Sequence, residues 1–176
     1  MKGKERMKYT VLAAGAVLFL GSAEAHVVFN EMEADAGGFH TAQLRVMHGC
    51  DGAPTTKVRI EIPDGVTRVT PRVVPGWTVD VEMKTLDEPI LLHGFEVTET
   101  VGALTWSGGS FPDYAYEQFE FRMMLPEASG ARLDFPVRQF CDEASLHWDD
   151  IAAENEDPWT LDEPAPFIRL RSKIAP

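Results

Sequence analysis

The fold that this sequence predicts is an all-β antiparallel sandwich, and three observations predict it. Short runs alternate apolar and polar residues with a period near two, turn-forming Gly and Pro clusters separate them at short intervals, and helical periodicity of useful length is missing. The runs are TAQLRVM (41–47), TTKVRIEI (55–62), GWTVDVEM (76–83), GALTW (102–106), YEQFEFRMML (116–125), RLDFPVRQF (132–140) and FIRLRS (167–172). Each is rich in β-branched or aromatic residues, which suit a pleated, half-buried surface. Breakers fall between them at Cys50-Asp51-Gly52-Ala53-Pro54, Pro63-Asp64-Gly65, Pro75-Gly76, Ser107-Gly108-Gly109 and Ser129-Gly130. One short stretch, 149–155, carries a weak helical expectation. It opens the acidic, Pro-containing segment DDIAAENEDPWTLDEPAP (149–166), which is expected to lie over the sandwich as a surface excursion anchored by Trp159.

The first 25 residues read differently. Lys2, Lys4, Arg6 and Lys8 form a positive start, YTVLAAGAVLFLG follows, and Ala23-Glu24-Ala25 supplies a small-residue cleavage site. The apolar core is about a dozen residues, short of the roughly 20 that a membrane helix needs. Residues 1–25 are therefore expected to be a cleaved signal peptide rather than an anchor, and 26–176 a single domain in the periplasm or outside the cell. Cleavage after Ala25 would make His26 the first residue. No later stretch is apolar enough to span a membrane.

Four of the 16 basic and two of the 28 acidic residues precede His26, so the mature chain carries a formal charge of −14. Such a balance argues against nucleic acid and anionic lipid as partners and is compatible with a protein that attracts cations. Cys50 and Cys141 are the only cysteines. In an exported chain they form one disulfide; a two-thiolate metal site is the alternative.

A histidine at a free N-terminus offers its α-amino nitrogen and its imidazole Nδ1 to one metal ion. Both must be deprotonated to bind, so affinity rises with pH. Nitrogen donors favour Cu(II), which tops the divalent affinity series. The other histidines, His40, His48, His93 and His147, lack H-x-H or H-x-x-x-H spacing. In an extended segment Glu31 and Glu33 share a face and are the nearest carboxylates. Met32, Met47, Met83, Met123 and Met124 are scattered and are expected to fill the core. Ser107 and Ser110 in WSGGS lack the strand-turn-helix context of a hydrolase nucleophile, and the glycines there are expected to make a turn.

Several phrases in order resemble one family, the YcnI-like copper-binding domain of exported bacterial proteins. They are AHV (25–27), AGGFHT (36–41), HGCDGAPTTKVRIEIPDGV (48–66), PGWTV (75–79), TWSGGSFPD (105–113), YEQFEFR (116–122), FPVRQFC (135–141) and HW (147–148). The resemblance implies an immunoglobulin-like β-sandwich that binds Cu(II) through the amine and imidazole of a first-residue histidine, helped by a carboxylate and a tryptophan. Carried onto this chain, the histidine is His26, the tryptophan Trp148 and the carboxylate Glu33. The chain has Glu31-Met32-Glu33 where the family has a Pro-Ala-Glu element, which leaves Glu31 as a competing ligand. Trp148 is expected to wall the site and to hydrogen-bond a metal-bound group, while Trp77 and Trp106 are expected to be packing residues.

The function these readings support is copper trafficking or sequestration without catalytic turnover, with other periplasmic or membrane copper-handling proteins as partners. The rival reading is a copper-dependent oxidase or polysaccharide oxygenase using the same N-terminal histidine. A third is an exported sandwich that only binds a partner.

Overall fold

The computed structural model describes residues 26–92 and 94–173, so the expected signal peptide, residues 1–25, and His93 lie outside the described residues. Within them the alternating runs become strands β1 (Val28–Phe29), β2 (Glu33–Asp35), β3 (Phe39–Val46), β4 (Thr55–Glu61), β5 (Thr67–Pro71) and β6 (Thr78–Leu92). The second half continues with β7 (Phe95–Phe111), β8 (Glu117–Met124), β9 (Arg132–Asp134), β10 (Val137–Cys141), β11 (Ala144–Trp148) and β12 (Phe167–Arg171).

Two sheets form the sandwich. One has the order β1-β3-β8-β5, the other β11-β10-β4-β7-β6, and a small sheet β2-β12-β9 adds Ala34, Leu133, Ile168 and Leu170 to the same core. Alternation decides which side chains meet. Leu44, Phe119 and Phe121 of the first sheet and Val58, Ile60 and Trp106 of the second are all buried in one core. The Trp106 and Phe119 rings lie 5.0 Å apart, Trp77 meets Phe119 edge-on at 5.0 Å, and Phe29 meets Phe135 at 5.0 Å. Such aromatic pairs contribute about 0.5–1.5 kcal/mol each beyond burial. Trp77 and Trp106 are packing residues, as the sequence suggests.

Several expectations are corrected. The run RLDFPVRQF is two strands: Pro136 cannot donate to a ladder, so β9 ends before it and pairs β12, while β10 begins after it and pairs β4 and β11. The β6–β7 hairpin extends far beyond GWTVDVEM and GALTW. Its outer half is exposed on both faces, so backbone pairing continues where no apolar alternation advertises it. The glycines of WSGGS lie inside β7 rather than in a turn. Gly108 has φ +81°, the β4–β7 register shifts between Thr55 and Lys57, and a Cβ on Gly109 would collide with the Trp77 indole. Residues 149–155 are not helical: Asp150 N–H donates to Glu163 O at 3.1 Å and Ala165 N–H to Asp150 O at 2.9 Å, closing the segment as a loop. Of the methionines expected in the core, Met123 is fully buried, but Met32, Met47 and Met83 are exposed.

Candidate metal centre

His26 lies two residues before β1, the two-residue edge strand of the four-stranded sheet. Trp148 ends β11, the edge strand of the five-stranded sheet, opposite Val137. The two residues therefore meet where both sheets run out. The chain after Trp148 then folds back over this edge. Arg132 holds the segment through Ala152 O at 2.5 Å, and Asp157 caps a single 3-10 turn, Pro158–Thr160, by accepting from Trp159 N–H at 3.1 Å. Pro158 is buried, which presents Trp159 on the outside of the turn.

The result is a histidine set beside two indoles. The His26 ring meets Trp148 nearly perpendicularly, at 6.0 Å and 85°, and Trp159 at 5.8 Å and 36°. Trp159 in turn contacts Phe167 at 5.7 Å.

Trp148 is held by a buried polar relay. Its indole N–H donates to Gln139 Oε1 at 3.1 Å, and Gln139 Nε2 donates to His48 O at 2.6 Å and to Thr55 Oγ1 at 2.7 Å. An indole has a single N–H, so the expected hydrogen bond from Trp148 to a metal-bound group is not available in this arrangement. His48 is brought to the same tryptophan, its ring 6.2 Å from the indole at 74°. Its Nδ1 lies 2.5 Å from Gly49 O. A carbonyl only accepts, so Nδ1 carries the proton, and in the neutral ring Nε2 holds the lone pair.

Cys50 and Cys141 form a disulfide, and the described residues contain no free cysteine, so the two-thiolate metal site is excluded. The bridge joins the turn after His48 to the end of β10, two residues from Gln139. Thr55 Oγ1 lies 3.6 Å from Cys141 Sγ.

Glu31 and Glu33 share one face, as alternation requires: both line an open cleft of about 600 Å³ with Met32, Trp159, Phe167, Arg169 and Arg171. Trp159 thus borders the carboxylate cleft and also contacts His26. Arg171 is bound to Asp35 at 2.7 Å and leans toward Glu33 at 3.9 Å. Among the described residues no three His, Cys, Asp or Glu side chains converge as a metal cage. A first-residue histidine supplies one donor from the backbone, and that nitrogen is a free amine only after the Ala25–His26 bond is cut. His40 sits on β3 opposite Met123, and His147 on β11 contacts Ser145 Oγ at 3.2 Å. Neither joins His26 in a ring contact. The residues that the sequence did not single out are Gln139, an ordinary member of an alternating run, and Trp159, read only as an anchor for its loop.

This arrangement defines a β-sandwich of the immunoglobulin-like class with a histidine and tryptophan cluster at an open edge. Residues 26–170 match the family described as "Domain of unknown function (DUF1775)", and the match begins at His26. The chain belongs to this family, which is the YcnI-like family. The chain is similar to the crystal structure of an uncharacterized protein from Nocardia farcinica described as having an immunoglobulin-like fold. The two are 25% identical, with 84% of this chain and 99% of that one covered and a TM-score of 0.63. A protein from Corynebacterium diphtheriae described as membrane anchored is 10% identical, covers 85% of this chain and 35% of its own, and has a TM-score of 0.40. No curated protein matches at a significant level.

Proposed function

We propose that the protein is exported, is cut after Ala25, and binds Cu(II) through the α-amine and imidazole Nδ1 of His26, serving to carry or sequester copper in the periplasm or outside the cell. The observation that carries this reading is the His26 ring beside Trp148 and Trp159, with His26 directly after an Ala-Glu-Ala triplet. Two neutral nitrogens leave the charge of a divalent ion uncompensated, and Glu33 or Glu31 from the neighbouring cleft offsets part of it. The donor set of amine, imidazole and carboxylate suits Cu(II) over softer ions. Trp148 and Trp159 wall the metal from bulk water. The disulfide fits an oxidising compartment.

The test compares the mature protein with a version carrying one extra alanine before His26. The extra residue converts the amine into an amide and should abolish tight stoichiometric Cu(II) binding. Equal affinity of the two proteins sinks the reading.

One observation favours a second reading, a copper-dependent oxidase or polysaccharide oxygenase: His48 brings a second imidazole to Trp148. Turnover of a defined substrate with copper, ascorbate and hydrogen peroxide would establish it.

A further inference from the structure

The core of the sandwich ends before the β6–β7 hairpin does. β4 pairs β7 only from Ala103 to Phe111, so beyond Val101 the ribbon has two strands and no third. Its root is clamped to the turn before β5. Lys84 Nζ donates to Ile62 O and to Asp64 Oδ1, both at 2.8 Å, and Thr100 Oγ1 donates to Val66 O at 3.5 Å. From Glu99 to the turn the arm runs about 20 Å at the rise of a strand. A two-stranded ribbon is marginally stable in water unless one of its faces packs against something.

The arm has a face to offer. By alternation Phe95, Val97 and Glu99 continue the side of β7 on which Val101 is buried, and Ile90 lies directly opposite Val97. Phe95 at the tip is 76% exposed. Residues 85–99 contain Asp87, Glu88, Glu96 and Glu99 and neither lysine nor arginine. Among the described residues none of these four carboxylates forms an ion pair. Pro89 and the register shift between Thr85 and Ile90 interrupt the outer edge of β6, so the arm presents its face rather than its edge.

The complement lies on the outer face of the four-stranded sheet. Ala42 and Leu44 point into the core, so Phe39 points out of it, and its ring is 45% exposed. The Arg122 guanidinium stands 3.8 Å from the centre of that ring and the Arg68 guanidinium 5.9 Å. Among the described residues neither arginine has a carboxylate partner. Arg68 follows two residues after Val66, the residue that holds the root of the arm. The basic patch and the acidic arm therefore start from one end of the sandwich.

We propose that the arm docks on the Phe39, Arg68 and Arg122 patch of a second copy of this chain, which returns its own arm to form a two-fold dimer. Phe95 covers the Phe39 ring, while Glu96 and Glu99 meet the two unpaired guanidinium groups. The net acidity of the chain opposes association only weakly, because salt screens charges more than about 8 Å apart at physiological ionic strength. The dimer requires no metal and is independent of the copper reading.

The experiment is sedimentation of the mature protein at about 0.1 mM, enough to populate a weak interface. A dimer should appear and should dissociate as salt is raised. Two charge-reversed variants probe the contact from its two sides: Glu96→Lys with Glu99→Lys on the arm, and Arg68→Glu with Arg122→Glu on the patch. Each alone sets like charge against like and should dimerise about a hundredfold more weakly. Mixed in equal amounts they should recover the parental affinity, because one arm then joins Lys to Glu and the other Glu to Arg. Phe95→Ser should weaken the dimer at every salt concentration. A monomeric parent overturns the proposal. So does a dimer that survives in either reversed variant, or a mixture that stays monomeric although each component keeps the parent's circular dichroism. If a reversed variant loses that spectrum, Phe95→Ser decides, and a dimer of parental affinity overturns the proposal.

Discussion

The indole N–H of Trp148 donates to Gln139 Oε1 at 3.1 Å, and both groups are buried. Through this bond the indole beside His26 depends on an uncharged side chain from the neighbouring strand. Replacing Gln139 by Leu removes the acceptor of Trp148 and the donor to His48 O and Thr55 Oγ1. Leaving buried polar groups unpaired costs about 1–3 kcal/mol each. Gln139→Leu should lower the urea unfolding free energy by at least that much, and Trp148→Phe, which strands Gln139 Oε1, by a similar amount. A variant as stable as the parent would show that the relay contributes nothing.

The disulfide closes a loop across 91 positions and ties the turn beside His48 to β10. Cross-linking so long a loop restricts the unfolded chain, and its removal costs about 2–5 kcal/mol. The double variant Cys50→Ala, Cys141→Ala should show a loss of that size in chemical denaturation. The parent should show the same loss when unfolded under reducing conditions.

His40 is half-buried, its Nε2 has no hydrogen-bond partner among the described residues, and burial holds its imidazole below the ordinary value of 6.5, with Glu31 partly opposing. The folded state therefore prefers the neutral ring, and the unfolded chain takes up the proton first as pH falls. Stability should be highest above the unfolded value and should decline as pH drops through 6.5 toward the folded one. Denaturation midpoints taken between about pH 7.5 and pH 5.5 measure the slope. His40→Gln should flatten it, and an unchanged slope would assign the pH dependence to other groups.

Gly109 packs beneath the Trp77 indole, so that a Cβ there would overlap the ring. Trp77 cannot yield easily, because Phe119 and Phe111 hold it at 5.0 Å and 6.4 Å. Overpacking of this kind costs about 1–3 kcal/mol. Gly109→Ala should lower the melting temperature, and near-ultraviolet circular dichroism should report a disturbed Trp77.

Glu33 lies 3.9 Å from Arg171, which competes with a metal for its charge. Glu33→Gln should weaken Cu(II) binding by roughly tenfold, less than His26→Ala. Arg171→Gln should strengthen it by removing the competing cation. If Glu31→Gln has the larger effect instead, Glu31 is the carboxylate that completes the site.

The core strands were legible in the sequence because they obey a local rule. TTKVRIEI and YEQFEFRMML bury one face, so alternation is written directly into the residues, and β4 and β8 appear within a residue or two of their expected ends. The short strands β1, β2, β5 and β11 were not legible, because strands of two to five residues at edges and in side sheets bury too little to show a period. The outer part of the β6–β7 hairpin escaped for another reason: its described residues are mostly exposed, so backbone pairing continues there without a buried face to show a period.

At the candidate site the same division holds. The leader pattern, the position of His26 behind it, the shared face of Glu31 and Glu33 and the even pair of cysteines are properties of local order, and the sequence alone determined them. Which indoles stand beside His26 was decided by long-range packing, since Trp148 arrives from the edge of the second sheet and Trp159 from a loop folded back over it. Only the tertiary structure could commit the Trp148 N–H to Gln139, bring His48 to the same ring and expose Met32 at the cleft. The physical reason is distance along the chain. Periodicity and spacing report on neighbours a few residues apart, whereas these contacts join segments that meet only when the two sheets close on one core.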